Sequence, residues 1–253
     1  MTARAFICGL AGPTLAAEER RFLAAARPWG AILFARNIVD AAQLRGLVAD
    51  VREVLGDADL PVLIDQEGGR VQRLRPPLAT RHPPAAVYAA LYERDPDRAV
   101  AAARLGARLI AHELRDYGIN VDCLPVVDLR VPGAHDIIGD RAYGTTPEAV
   151  SRLGRAVCEG VRAGGVLPVI KHIPGHGRAG ADSHLDLPRV AASRAELAAT
   201  DFAPFAALVD QPIAMTAHVV YEAIDPDRAA TVSPAVVGEV IRGAIGFDGL
   251  LLT

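Results

Sequence analysis

The stretch Lys171 to Pro188, KHIPGHGRAGADSHLDLP, holds one lysine, three histidines and two aspartates, with glycine and proline between them. Asp182 and His184 are two residues apart, so an extended chain carries both side chains on one side. A carboxylate beside an imidazole fixes the ring tautomer and favours its charged form, which keeps a proton donor available near neutral pH. That is equipment for general acid/base catalysis. The plainer reading makes Asp182 a turn cap and His184 a surface residue, and the D-x-H spacing alone does not choose between them. Gly175, Gly177 and Gly180 are expected to let this loop move as a lid that delivers His184 to a bound substrate.

Further ionisable residues stand at the ends of apolar runs. Asp65 closes PVLID, Asp122 and Asp128 fall in INVDCLPVVD, Lys171 and His172 follow GVLPVI, and His218 ends PIAMTAH. A buried strand that ends in a charge is costly unless the charge pairs or meets a ligand. Several such strands converging on one polar site is the economical reading, and Lys171, His172 and Asp65 together suit hydrogen bonding to a polyhydroxylated ligand. Arg73 in QEGGRVQR and Arg141 in GDRAYG are planar donors suited to oxygen. Each also reads as an ordinary loop arginine, with Asp140 the possible partner of Arg141. His176 holds the loop in shape, and His82, His112 and His135 receive no role.

The elements that must position these groups alternate. Seven apolar runs, at 5–10, 30–35, 61–65, 119–128, 165–170, 212–218 and 249–253, each precede a helical pattern or a long loop, except the last, which closes the sequence. Near-continuous apolar strands are what a parallel sheet covered on both faces requires. Helices are expected over 14–26, 40–56 with Asp40 as N-cap, 96–118, 146–165, 193–209 and 233–246, with Gly118, Gly164 and Gly246 at C-terminal caps. The first strand-to-helix turn, GLAGPT, lacks a GxGxxG pattern, so the fold class is a (β/α)8 barrel in preference to a doubly wound sheet. The expected domain is one unit over 1–253, lacking the last β/α units of an eightfold barrel.

The chain of 253 residues has 51% hydrophobic and 23% charged residues and a formal net charge of −3, with no clustered basic footprint for nucleic acid. No window approaches a membrane span, and no signal peptide is recognised, so the expected setting is cytoplasmic. Cys8, Cys123 and Cys158 are far apart and lie in apolar segments, which suits free thiols in a reducing compartment.

LIDQEGGRVQRL, KHIPGHGRAGADSHLDLP and MTAHVVY resemble, nearly letter for letter, signatures of the bacterial β-N-acetylhexosaminidases of glycoside hydrolase family three, and IGDRAYG and IGFDGLLLT fit the same family. The resemblance implies removal of terminal β-N-acetylglucosamine from anhydromuropeptides during cell-wall recycling, in the cytoplasm and without a cofactor or metal. It makes His184 the acid/base with Asp182 its dyad partner, and Asp65, Arg73, Arg141, Lys171 and His172 the groups that hold N-acetylglucosamine. The implied reaction is a retaining double displacement through a glycosyl-enzyme. Most retaining glycosidases use two carboxylates for this chemistry. A histidine acid is also compatible with phosphate as an alternative acceptor.

The implied nucleophile is the first aspartate of a DDL that would follow Thr253, and Asp248, which precedes the last run, is expected at the opposite end of the barrel. The competing expectation is a sugar-binding or regulatory barrel without that nucleophile. A third, a metal-dependent hydrolase using His172, His176, His184 and Asp182, lacks a rigid helix to set the ligand spacing.

Overall fold

Seven apolar runs become seven parallel strands: β1 (Arg4–Gly9), β2 (Pro28–Leu33), β3 (Val62–Ile64), β4 (Val121–Asp122), β5 (Leu167–Ile173), β6 (Ile213–Thr216) and β7 (Leu250–Leu252). The computed structural model describes residues 3–180 and 187–253. Each strand pairs with the next in chain order. A doubly wound sheet reverses its strand order at a switch point, and this sheet has none, so it is the curved sheet of a (β/α) barrel. β1 and β7 are the edges of the described sheet, and a groove of about 430 Å³ lined by Phe6, Ile7, Trp29 and Leu250–Leu252 separates them.

The period-two alternation of the strands produces two apolar layers. Leu63, Val121, Cys123, Val169, Ile213 and Leu252 fill the inner face. Neighbours of opposite parity, such as Ile64, Ile170 and Ala214, join the larger layer under the helices. Those helices are α1 (Ala17–Ala26), α2 (Ala41–Leu55), α3 (Ala85–Tyr92), α4 (Pro96–Arg115), α5 (Pro147–Ala163), α6 (Arg194–Ala199) and α7 (Ala203–Ala206). A further helical turn system, Val236–Ile245, has π-type hydrogen bonding where the sequence pattern suggested an α-helix.

The caps follow side-chain chemistry. Asp40 accepts from the Gln43 N–H at 2.9 Å, Asp95 from the Arg98 N–H at 3.1 Å and Thr146 from the Ala149 N–H at 3.3 Å. Gly118 and Gly246 take the left-handed conformation expected of them, but after α5 it is Gly165 (φ 83) that does so, while Gly164 remains right-handed. The expected helix 193–209 divides into α6 and α7, because Pro204 has no N–H to continue the ladder and instead sits in the first turn of α7. Strand four is also shorter than its apolar run: Pro125 lacks an N–H, and beyond Asp122 the chain meets β5 through the isolated bridge Val126–Lys171 and a bond from the Val169 N–H to the Leu124 carbonyl at 3.1 Å.

α4 and α5 cross with small residues between them. A Cβ on Gly160 would lie 2.9 Å from the Ala107 Cβ and closer still to the Arg104 carbonyl, so only glycine allows this approach. Replacing Gly160 by alanine is expected to destabilise the fold by about 1–3 kcal/mol through overpacking. Urea unfolding measures it, and a loss below a few tenths of a kcal/mol would contradict this seam.

Cys123 and Cys158 are buried free thiols and Cys8 is half-buried. Burial pushes Cys158 up to about 12 and raises Cys123 as well. Because the thiolate is the nucleophile, neither is expected to react with iodoacetamide in the native state. Mass spectrometry of the alkylated protein reads this, and prompt labelling of Cys123 would show that the inner layer opens.

Candidate active site

The inner face of the sheet carries its last side chains at the strand ends. Lys171 lies two residues beyond Val169 and Asp65 two beyond Leu63, so both continue the inward-facing set. Lys171 Nζ lies 2.8 Å from Asp65 Oδ1 and 2.7 Å from a Glu67 oxygen. Arg73 donates to Asp65 Oδ2 at 3.3 Å. Arg141 donates from Nε and Nη2 to the two oxygens of Glu67, each at 2.8 Å. Four sequence-predicted residues, Asp65, Arg73, Arg141 and Lys171, therefore enter one network, together with Glu67. Arg73 keeps 31% of its side-chain surface and Asp65 18%, whereas Lys171 keeps 2%. Asp65 and Arg73 are thus the members of the network that solvent reaches, whereas Lys171 is enclosed.

The charges in the network support one another. Burial alone would raise the Asp65 carboxyl, but the Lys171 ammonium and the Arg73 guanidinium outweigh it and hold it well below the usual carboxylate range. Glu67 is lowered in the same way by Lys171 and Arg141. Burial opposes the Lys171 charge, and the two carboxylates more than restore it, so its pKa is raised. Asp122 behaves oppositely. It is wholly buried, accepts the Gln66 N–H at 3.0 Å through Oδ1, and has no hydrogen-bond partner for Oδ2 among the described residues. Burial, with Asp65 and Glu67 nearby, raises it well above the usual range.

His172 belongs to a second cluster. β5 extends three residues past its expected end, and its register with β6 shifts between Lys171 and Ile173, a bulge at His172. Buried Asp128 supplies the partners that the bulge removes from the ladder: it accepts the His172 N–H at 3.2 Å, bonds His172 Nδ1 at 2.7 Å and accepts the His176 N–H at 2.7 Å. Burial would raise the Asp128 carboxyl, but His172 lowers it on balance. With Nδ1 turned to Asp128, Nε2 of His172 has no hydrogen-bond partner among the described residues. The His176 backbone ties this loop together: its N–H donates to Asp128 and its carbonyl accepts the Ala179 N–H at 3.1 Å.

The loop after β3 is built by two buried glutamines. Gln66 Oε1 accepts the N–H groups of Arg73 (2.9 Å) and Leu74 (3.0 Å), and Gln72 Nε2 donates to the Leu74 and Thr80 carbonyls. Residues Gln66–Gly68 and Val71–Gln72 pair as a small hairpin, with Gly68 and Gly69 left-handed at its turn. Arg70, at that turn, bonds Asp140 at 2.8 Å and the Ile137 carbonyl at 2.8 Å. Asp140 is thus the partner of Arg70, whereas Arg141 pairs with Glu67, a correction to the expected Arg141–Asp140 pair. The acid was misplaced because adjacent residues in a helical turn point in different directions.

Two of the three expected hinge glycines are packing residues instead. A Cβ on Gly177 would collide with the Leu129 carbonyl, and one on Gly175 would lie 2.9 Å from the Asp201 Cβ; Gly180 alone of the three has open space. The Tyr221 hydroxyl also donates to the Gly175 carbonyl. The base of the loop is therefore fixed through Ala179, whose carbonyl accepts the His135 N–H at 3.0 Å. Asp182 and His184, the expected acid/base pair, lie outside the described residues. His218 is exposed beyond β6 and takes no part in either cluster. Among the described residues, no group of three His, Cys, Asp or Glu is arranged to hold a metal ion, and no helix is long and apolar enough to cross a membrane.

Charged side chains gathered where the strands of a parallel barrel sheet end define a β/α-barrel protein with its site on the loop-bearing face, as in barrel enzymes. The chain belongs to the family described as glycosyl hydrolase family 3 N terminal domain, whose model matches residues 8–253. It is 44% identical over 247 residues to a β-hexosaminidase of Alkalilimnicola ehrlichii, an alignment that covers 97% of this chain and 70% of that one. A β-hexosaminidase of Methylococcus capsulatus is 40% identical over 246 residues, covering 96% and 71%. Among solved structures, NagZ from Neisseria gonorrhoeae in complex with N-trifluoroacetyl-D-glucosamine is similar, with a TM-score of 0.92 and 36% identity over 98% of this chain and 73% of that one.

Proposed function

We propose that this chain carries the sugar site of a retaining β-N-acetylglucosaminidase, acting on terminal N-acetylglucosamine of peptidoglycan-derived anhydromuropeptides in the cytoplasm. The observation that supports this reading best is the network of Asp65, Arg73, Lys171, Glu67 and Arg141 at the strand ends. It offers fixed charged acceptors and donors to the hydroxyls of a pyranose, and such charge-assisted bonds are short and directional. In this reading Asp65 and Arg73 contact the sugar directly, His172 offers Nε2, and Lys171 and Arg141 set the charge beneath it.

The chemistry assigns His184, tuned by Asp182, to protonate the leaving oxygen and then to deprotonate the incoming water. In the same step as that protonation an aspartate attacks the anomeric carbon and the aglycone departs; the activated water then displaces the aspartate from the glycosyl-enzyme. The test is turnover by the natural gene product of an aryl N-acetyl-β-glucosaminide and of the matching aryl β-glucoside. Release of the aryl group from the first with retained anomeric configuration, and at least about a hundredfold more slowly from the second, supports the reading. Equal rates, or inversion, would exclude it.

A further inference from the structure

Glu67 is the one member of the network to which the reading above assigns no individual role, and its geometry defines what it does. Its side chain is 5% exposed. One oxygen takes both Lys171 Nζ (2.7 Å) and Arg141 Nη2 (2.8 Å), and the other takes Arg141 Nε (2.8 Å). Glu67 gives three of its four acceptor positions to protein cations and is less exposed than Asp65, so its bonds are made chiefly within the protein. Three separate elements meet on it: the hairpin after β3, the end of β5 and the loop that carries Arg141.

We infer that Glu67 is a positioning residue of the sugar site, fixing Arg141 and Lys171 as a cation pair at the floor on which the sugar rests. This rests on the proposed sugar site for its consequence, although the geometry stands without it. Among the described residues the Arg141 guanidinium keeps one bond besides those to Glu67, from Nη1 to the Ile137 carbonyl at 3.1 Å, so Glu67 supplies most of its orientation. Lys171 keeps Asp65. Removing the Glu67 charge leaves the carboxylate of Asp65 alone among three cations, and Asp65 is then drawn toward them and away from a ligand. An amide at position 67 makes this worse, because its NH2 would face the N–H groups of Arg141.

Two measurements on the folded chain decide it. The first is the dissociation constant of N-trifluoroacetyl-D-glucosamine by fluorine NMR for the wild type, Glu67→Gln, Arg141→Gln and the double variant. Glu67→Gln should weaken the probe about tenfold or more, yet add no more than about twofold to Arg141→Gln, since coupled residues are not additive. Full additivity would overturn the inference. Glu67→Asp keeps the charge but shortens the reach by one methylene, and it should also weaken the probe; wild-type affinity in that variant would overturn the inference even if Glu67→Gln does not fold.

The second measurement is a crystal structure of Glu67→Gln. The Arg141 guanidinium should leave its place while the Gln66 and Gln72 bonds that hold the hairpin remain. If Arg141 and Lys171 stay where they are, Glu67 does not position them. Should the wild type bind no probe, the sugar reading fails and this second result still decides the role of Glu67.

Discussion

Lys171→Met is expected to cost about 3–5 kcal/mol of stability at neutral pH, because it leaves the buried Glu67 and the partly buried Asp65 short of their shared cation. Lys171 pairs with Asp65 at 2.8 Å and with Glu67 at 2.7 Å, and its side chain is nearly enclosed. Methionine fills a similar volume, so packing contributes little to the loss. The sign of the pH dependence follows from the shifts. Asp65 and Glu67 have lowered pKa values in the folded wild type, so their contribution is present above the ordinary carboxylate range near 4 and is lost as pH falls through the folded values. Lys171 is raised, so its contribution is present below the ordinary lysine range and is lost only as pH rises through its folded value.

In the variant, the two carboxylates keep Arg73 and Arg141 but not the central charge, and their pKa values rise. Protonation then relieves them as pH falls, so the difference from wild type should shrink between about pH 7 and pH 4. Urea unfolding at several pH values measures this. A loss under about 1 kcal/mol, or a loss that does not change with pH, would mean that the cations and carboxylates are not coupled as the distances imply.

His184→Ala carries the largest expected effect on turnover. General acid/base catalysis typically contributes about 10²–10⁴-fold, so hydrolysis of natural substrates by the natural gene product should fall by that order. Aryl glycosides with good leaving groups need little protonation, and their cleavage to the glycosyl-enzyme should lose far less. The two substrate classes therefore separate the roles. Matching losses for both would indicate that His184 serves the shape of its loop and not proton transfer. Asp182→Asn should resemble a milder His184 defect with an altered pH profile, since the carboxylate tunes the ring.

The parts of this fold that local chemistry decides were readable from residues. Seven apolar runs and their intervening helical patterns placed all seven strands, and Asp40 stood at its cap because a carboxylate before a helical run has an orphan N–H to satisfy. Asp65 and Lys171 were recognisable because a buried strand ending in a charge demands a partner. Glu67 was missed, although the signal was there: it lies two residues from Asp65, the same spacing that links Asp182 with His184, so an extended chain presents both acids to one side.

Other features depend on tertiary register. The bulge at His172, and hence the use of Asp128 to bind the N–H groups of His172 and His176, arises from how β5 meets β6, which periodicity in one strand does not encode. The pairing of Arg70 with Asp140 spans 70 residues and depends on two loops meeting over the sheet end. Gly175 and Gly177 read as hinges from composition, yet the structure uses them for close approach to Asp201 and Leu129. Glycine permits both, and only packing distinguishes them.

The central claim is that the charged network at the strand ends holds N-acetylglucosamine. The most direct test is fluorine NMR titration of N-trifluoroacetyl-D-glucosamine into the wild-type chain and into Asp65→Asn, with circular dichroism to show that both are folded. Saturable binding that N-acetylglucosamine displaces, and that Asp65→Asn weakens by at least about tenfold, is the predicted result; a change of that size corresponds to about 1.4 kcal/mol. No saturable binding, or equal affinity in a folded Asp65→Asn, would contradict it.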